Sequence, residues 1–331
     1  MKEFEFQIDT NSDIPKFQQI INTINDAIGE RILNKGECLP SVNSVSKSTG
    51  LSRDTIFKAY TELKDQRVIN AVQSKGYFVA SDVRKVLLVL DTFKSYKEVL
   101  YHSFKEKLPS NFIVDVQFHH YNIDNFRTII NNSIGKYYKY VIMSFDDNSI
   151  PKVLSKISND KILMIDWGIQ VDDSYNFVFQ DFGVSFYKAL EKGKHLLKKY
   201  HQVHFLYPSY TNHPKETLVY FEKFCRDYNI NFEIITKEND FSIQKNVAYI
   251  SVSDRMLGLI LEQCQEMNYE PGRDVGILSY NDSPMKPFIY KGITVISTDF
   301  KQLGYKGAEF VTAMEPMRIM IKTDLIIRES L

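Results

Sequence analysis

Apolar positions recur every three or four residues through the first eighty positions and then, from about residue 85, change to short unbroken runs. Phe17, Ile20, Ile21, Ile24, Ala27, Ile28 and Ile32 share one face of a helix opening after Asp13-Ile14-Pro15, and the spacing predicts that this helix runs on until Gly36 stops it. After Leu39-Pro40, Ser41 is a good N-cap for a short helix that turns Val42 and Val45 inward, and Gly50 supplies the left-handed residue for a sharp turn. Ser52 caps the next helix. Ile56, Ala59, Tyr60 and Leu63 fall on its inner face, which leaves Arg53, Thr55 and Lys58 toward the N-terminal end and the outer face. Val68-Ile69 and Tyr77-Phe78-Val79 read as paired strands with Lys75-Gly76 at their tip.

Beyond the join near Ser81-Asp82-Val83-Arg84, strand-like runs begin with Lys85 to Asp91. They continue at Phe112–Val116, Tyr140–Phe145, Ile162–Asp166, Val203–Tyr207, Phe232–Ile235, Val247–Ser251, Val275–Tyr280 and Thr294–Ser297. Segments of helix length, such as Phe126–Ser133, Gly183–Lys199, Thr217–Tyr228 and Met256–Met267, lie between most of them. Such alternation predicts parallel sheets covered on both faces, and there are more strands than one sheet of about five or six needs. The fold class is therefore α/β. A winged helix-turn-helix domain is expected over 1–80, a linker over 81–85 and a two-lobed, doubly wound domain over 86–331.

The stretch from Pro15 to Val79, with Leu39-Pro40-Ser41, Ser52-Arg53-Asp54-Thr55 and Lys75-Gly76-Tyr77-Phe78-Val79, resembles the GntR family of bacterial transcription regulators. The resemblance implies dimeric binding to a palindromic operator, with DNA contacts from Ser41, Asn43, Ser52, Arg53, Thr55, Lys58, Lys75 and Gly76. Two places depart from the family pattern. Val42-Asn43 stand where many relatives carry an acidic-basic pair, and Phe57 stands where they carry a basic residue.

From Lys85 to Leu331 a second likeness emerges. The ordered series Ile162–Asp166, Phe179-Gln180-Asp181, Pro271–Asp282, Ile293–Ser297 and Asp324–Ser330 is similar to the effector domain of LacI-type regulators and periplasmic sugar-binding proteins. That resemblance implies two lobes closing on a small ligand, usually a sugar, and the crevice beyond the carboxyl ends of the strands is where open α/β sheets bind ligands in any case. Strand ends then supply the effector-binding candidates: Phe93 and Tyr96 after the first strand, Asp146, Asp166 and Trp167, Arg255, Asn281 and Asp299, together with Lys215 in the His213–Thr217 segment. Carboxylates, amides and arginine suit adjacent sugar hydroxyls, and an aromatic face suits the apolar side of the ring. Each has a plainer competitor, since an Asp at a strand end often caps the following helix, Trp167 can serve packing alone, and Arg53 can be a solvated helix-start residue.

Composition narrows the remaining classes. With 41 basic and 41 acidic residues the formal net charge is zero, so any DNA footprint must be a local stripe. Cys38, Cys225 and Cys264 are too widely spaced for a metal site and read as reduced, mostly buried thiols. His119-His120, His201, His204 and His213 lack the helical spacing of paired metal ligands. Phosphate-loop, dinucleotide and nucleophile-elbow motifs are missing, and the pyridoxal-phosphate branch of GntR relatives needs a longer chain. No metal, cofactor or enzymatic activity is expected. Nor is there a secretory or long apolar segment, which predicts a cytoplasmic protein with no membrane partner. The expectation is a sugar-responsive, homodimeric DNA-binding regulator, more a repressor than an activator, in which a resemblance to GntR-type regulators of L-fucose use puts a deoxyhexose or other monosaccharide first. The alternative is a sugar-binding protein with no remaining transcriptional role.

Overall fold

The computed structural model describes residues 5–80, 83–168, 175–237, 241–313 and 315–331. Helix α1 (Lys16–Gly29) buries Ile20, Ile21, Ile24 and Ile28. It stops at Gly29 rather than Gly36, because the amides of Ile32 and Leu33 both turn back to the Ala27 carbonyl and Arg31 takes a left-handed φ of 57°. Helices α2 (Val42–Thr49) and α3 (Arg53–Asp65) follow, each capped by the expected serine: Ser41 accepts from the Ser44 amide and Ser52 from that of Thr55. Gly50, at φ 73°, makes the turn between them. Tyr60 is wholly buried, and its hydroxyl donates to the Pro40 carbonyl, ahead of α2, at 2.7 Å. Strands β1 (Ile69–Val72) and β2 (Gly76–Val79) pair antiparallel to form the wing.

The rest of the chain forms two six-stranded sheets. In the first, β3 (Arg84–Leu90) lies between β4 (Phe112–Phe118) and β5 (Lys139–Ile142), followed by β6 (Ile162–Asp166) and β7 (Asn176–Gln180). Helices α4 (Ser95–Lys107), α5 (Ile123–Ser133) and α6 (Ile150–Leu154) connect them. The segment expected as one helix from Gly183 to Lys199 is two, α7 (Val184–Lys192) and α8 (Lys194–Leu197), interrupted at Gly193, where a side chain would strike Leu325. In the second sheet β8 (Gln202–Leu206) lies between β9 (Phe232–Ile235) and β10 (Val247–Ser251), followed by β11 (Gly276–Tyr280) and β12 (Thr294–Thr298). Helices α9 (Glu216–Asp227), α10 (Asp254–Glu266) and α11 (Phe300–Thr312) belong to this half of the sequence. Strand β13 (Arg318–Ile321) ends the first sheet beside β7, and β14 (Thr323–Ile326) ends the second, antiparallel to β12. In each sheet the chain enters an interior strand and winds outward to both sides, the doubly wound arrangement that the alternation of runs implied.

Two compact units divide the chain. One holds the residues up to Thr92 with Lys105–Phe177 and Lys306–Arg318; the other holds Phe93–Phe104, Val178–Tyr305 and Ile319–Leu331. The winged helix-turn-helix thus shares a unit with the central strands of the first sheet. Arg84 and Lys85, expected in a linker, are instead the first residues of β3, paired in register with Phe112 and Ile113; Ser81 and Asp82 lie outside the described residues. Arg84 donates to the Gly29 carbonyl at 2.7 Å, and its guanidinium stands 4.7 Å from the centre of the Tyr138 ring and 5.3 Å from that of Phe112. Lys161, only 3% exposed, pairs with Asp26 of α1 at 2.9 Å. The Gln66 side chain donates to the Gly135 carbonyl at 3.2 Å.

Removing one partner of the buried pair should be felt across the unit. Asp26→Asn should lower the unfolding free energy measured by urea titration by about 1–3 kcal/mol, below the ~3–5 kcal/mol of a wholly buried pair because Asp26 keeps part of its surface in water. An unchanged midpoint would show that Lys161 finds another acceptor at no cost.

Candidate functional site

The exposed side of the helix-turn-helix carries the DNA-binding candidates. Ser41 and Ser52 spend their hydroxyls on the caps of α2 and α3, Ser52 also bonding the Thr55 hydroxyl at 2.9 Å. Arg53 opens α3 and is exposed, as are Asn43 and, at the wing, Lys75 and Gly76, whose φ of 103° allows the tight reversal. Lys58 differs from the rest: its ammonium stands over the Phe17 ring of α1, 4.0 Å from the centroid, so it is drawn toward its own domain.

The carboxyl ends of the first sheet gather a polar cluster within the first unit. Asp91, just past β3, is buried and accepts from the Tyr121 hydroxyl and from Thr92. His119 is buried beside it, stacked on Phe145 with centroids 4.7 Å apart. Its Nδ1 accepts from the Tyr121 amide at 3.1 Å, which leaves Nε2–H to donate to the Met143 carbonyl at 3.1 Å and fixes one neutral tautomer. Burial, and then the nearby charge of Asp166, push the Tyr121 phenol above its ordinary pKa, so it remains a donor. Asp166 ends β6 buried, with a left-handed φ of 73°. Trp167 follows half-buried, its carbonyl accepting from Ser144, while Asp146 is exposed. Asp147 accepts from both the amide and the hydroxyl of Ser149, closing a turn just ahead of α6, whose N-cap is Ser149 itself. Tyr121 and His119 were not among the sequence candidates. Their signal was the polar His119-His120-Tyr121 following a strand, of which sequence reasoning weighed the two histidines alone, as metal ligands.

In the second unit the strand ends are aromatic. The His213 ring lies 4.6 Å from Tyr280 and 5.4 Å from Phe182, edge-on to both, and Phe182 stacks on Tyr280 with a 13° interplanar angle. His213 Nε2 is 3.0 Å from the Thr217 hydroxyl. Burial, and secondarily Lys94, lower the His213 pKa to about 3, so the imidazole is neutral. Asn281 follows Tyr280 at φ 60°, and its Oδ1 is buried with no hydrogen-bond partner among the described residues. Buried Lys286 holds this corner by donating to the carbonyls of Tyr280 and Asn281 and pairing with Asp254 at 3.0 Å. Asp282 is bound by both terminal nitrogens of Arg328, at 3.0 and 2.6 Å. Asp299 accepts from the amides of Lys301 and Gln302 and so caps α11. The remaining candidates make other contacts: Arg255 lies 5.9 Å from the Tyr210 ring, Tyr96 packs on Phe300, Phe93 is exposed beside Tyr101, and Lys215 is exposed ahead of α9.

Comparison with known proteins divides along the same lines. Residues 16–79 match the bacterial regulatory proteins of the gntR family, and residues 194–331 match the periplasmic binding protein-like domain. The two matches lie on separate parts of the chain, one on the winged helix-turn-helix and the other on α8 through β14. The HTH-type transcriptional repressor YtrA of Bacillus subtilis (strain 168) is 28% identical over 82 residues, covering 25% of this chain and 63% of that protein. The mannosyl-D-glycerate transport/metabolism system repressor MngR of Escherichia coli (strain K12) is 28% identical over 68 residues, 20% of this chain and 28% of its own length. The chain thus matches less than two thirds of the length of each of these relatives. Among solved structures, the trehalose repressor from Escherichia coli superposes with a TM-score of 0.61 at 13% identity, over 73% of this chain and 100% of that one. A LacI family transcriptional regulator from Enterococcus faecalis V583, with bound ribose, gives 0.62 at 15% identity over 75% and 98%. At these identities the likeness is one of fold. Among the described residues no helix is long and apolar enough to cross a membrane.

The neutral His213 makes a pH-dependent contribution whose sign is set. Its folded pKa of about 3 lies below the ordinary value of 6.5, so the unfolded chain binds the extra proton first; the stabilisation is complete above about pH 6.5 and is lost as the pH falls toward 3. His213→Gln should flatten the fall in melting temperature between pH 6.5 and 4, and parallel wild-type and variant curves over that range would remove the imidazole from the acid response.

Proposed function

We propose that the protein is a sequence-specific transcriptional repressor of carbohydrate-use genes, binding a palindromic operator as a homodimer and released by a small sugar. A monosaccharide is the effector class, with deoxyhexoses such as L-fucose at the head of the series to be tried. One observation carries this reading: the helix-turn-helix, with Arg53 and Lys75 exposed, belongs to the same compact unit as the strand-end acids Asp91 and Asp166. Ligand chemistry and DNA reading thereby act on one body. The relatives YtrA and MngR are repressors, and one structural neighbour holds ribose, which supports it.

The coupling can be traced through α5. Its N-cap, Asn122, follows directly on Tyr121, and its last residue, Ser133, leads into Gly135. The carbonyl of Gly135 receives Gln66 from the end of α3, and its Cα lies so close to Gln18 of α1 that a Cβ would stand 2.0 Å from Oε1. A sugar hydroxyl displacing Tyr121 from Asp91 would move one end of a rod about 16 Å long whose other end touches the DNA-reading helices. A coupling of about 1–3 kcal/mol is enough to change operator occupancy tenfold or more.

The test is a gel shift with the protein's own upstream DNA, with and without whichever monosaccharide most raises the melting temperature. Ligand at a hundred times its Kd should add about 2.7 kcal/mol of stability. A protein that responds to sugars but retards no DNA would retire the regulatory reading in favour of a plain sugar-binding one. Arg53→Ala and Lys75→Ala should each weaken operator binding, by about 1–3 kcal/mol if a base contact is lost, with little change in melting temperature since both side chains are exposed. Undiminished binding in both would take them out of the interface.

Asp166→Asn separates ligand binding from folding, because asparagine tolerates the left-handed backbone at this position while losing the charged acceptor. Sugar affinity should fall by about 10- to 100-fold, as for the loss of a charge-assisted hydrogen bond of about 1.5–3 kcal/mol, and the variant should stay on its operator at sugar concentrations that release the wild type. Normal release with a lowered melting point would make Asp166 a structural residue only.

A further inference from the structure

We infer that Phe57 is a specificity-determining residue whose ring reads the C5-methyl group of a thymine in each operator half-site; the inference rests on the DNA-binding reading proposed above. Phe57 stands four residues after Arg53 on α3, so the two side chains are neighbours one helical turn apart. It is 57% exposed and makes no ring contact among the described residues. The core does not need it, because Ile56, Ala59, Tyr60 and Leu63 already fill the inner face of the helix.

Its surroundings narrow what can cover it. Arg53, Asp54, Lys58 and Thr61 around it are exposed and polar, so Phe57 is an isolated apolar group and too small a patch for a protein interface. Lys58, the next residue, is occupied with Phe17. The position one turn into the helix therefore offers DNA an apolar ring in place of a donor. Of the four bases only thymine presents an apolar group in the major groove; a ring pressed against the polar edges of the other three would strip them of water and return no hydrogen bond. Arg53, nearer the helix start, retains the polar contact, and the two residues together would select a thymine adjacent to the base that Arg53 contacts.

The experiment begins by selecting an operator from a randomised duplex pool with the full chain. Each thymine is then replaced by deoxyuridine, which removes only the methyl group. The wild type should lose about fourfold in affinity per half-site at one symmetry-related position, the effect of about one buried methyl. Phe57→Ala should bind the thymine and uracil operators alike, with its melting temperature unchanged. The assignment is overturned if the wild type tolerates uracil at every position, if Phe57→Ala keeps the discrimination, or if the selected half-site contains no invariant thymine. A pool that yields no enriched sequence overturns the DNA-binding reading itself, and this assignment with it.

Discussion

The guanidinium of Arg84 is the constraint on which the first unit turns. Helix α1 ends with carbonyls that have no partner within the helix, and a cation at that end meets both the free acceptors and the negative end of the helix dipole. Arg84 reaches Gly29 from the first residue of β3, with the rings of Tyr138 and Phe112 within cation–π range. The same Gly29 is close enough to Tyr138 that a Cβ would come within 3.0 Å of the ring. Chain entry into the sheet, the end of α1 and the position of the helix-turn-helix are thus settled at one place, and the Lys161–Asp26 pair repeats the connection from β6's side of the sheet.

Backbone conformation at the strand ends is the second recurrent device. His120, Tyr121, Asp166 and Asn281 all take left-handed φ values between 52° and 73°. For residues with a Cβ this conformation costs about 1–2 kcal/mol each. It turns the chain sharply off the strand, which sets a polar side chain at the rim of the sheet where an ordinary continuation would carry it away. The cost is offset by hydrogen bonds that close each turn, such as those from the His120 amide to the Asp91 carbonyl and from the Asn281 amide to the Ile296 carbonyl.

Both strand-end groups also keep a titratable side chain uncharged. Tyr121 remains a phenol between acids and His213 remains a neutral imidazole among aromatic rings. Neutral donors and acceptors keep their hydrogen bonds here without placing further net charge in a desolvated site.

How much of this was legible in the sequence depends on how local each feature is. The serine caps of α2 and α3, the Gly50 turn, the antiparallel wing and the sites of Ile162–Asp166, Phe232–Ile235 and Val247–Ser251 follow from neighbours within a few positions, where spacing and side-chain chemistry act directly. The end of α1 at Gly29 did not, because Arg31 and the return of Ile32 to Ala27 are favoured by packing that the apolar spacing does not encode. Nor did the fate of the acids: Asp91, Asp166, Asp282 and Asp299 are alike in sequence, each closing or following a strand. Tyr121 from the turn after β4, Arg328 from 46 residues away and the bare amides of α11 are what make the first a hydrogen-bonded acceptor, the third an ion pair and the fourth a cap. Sequence by itself determined the elements and the class of chemistry at their ends. Tertiary structure alone decided which polar group meets which, since those partners are brought together only when the sheets wind and the helix ends find their acceptors.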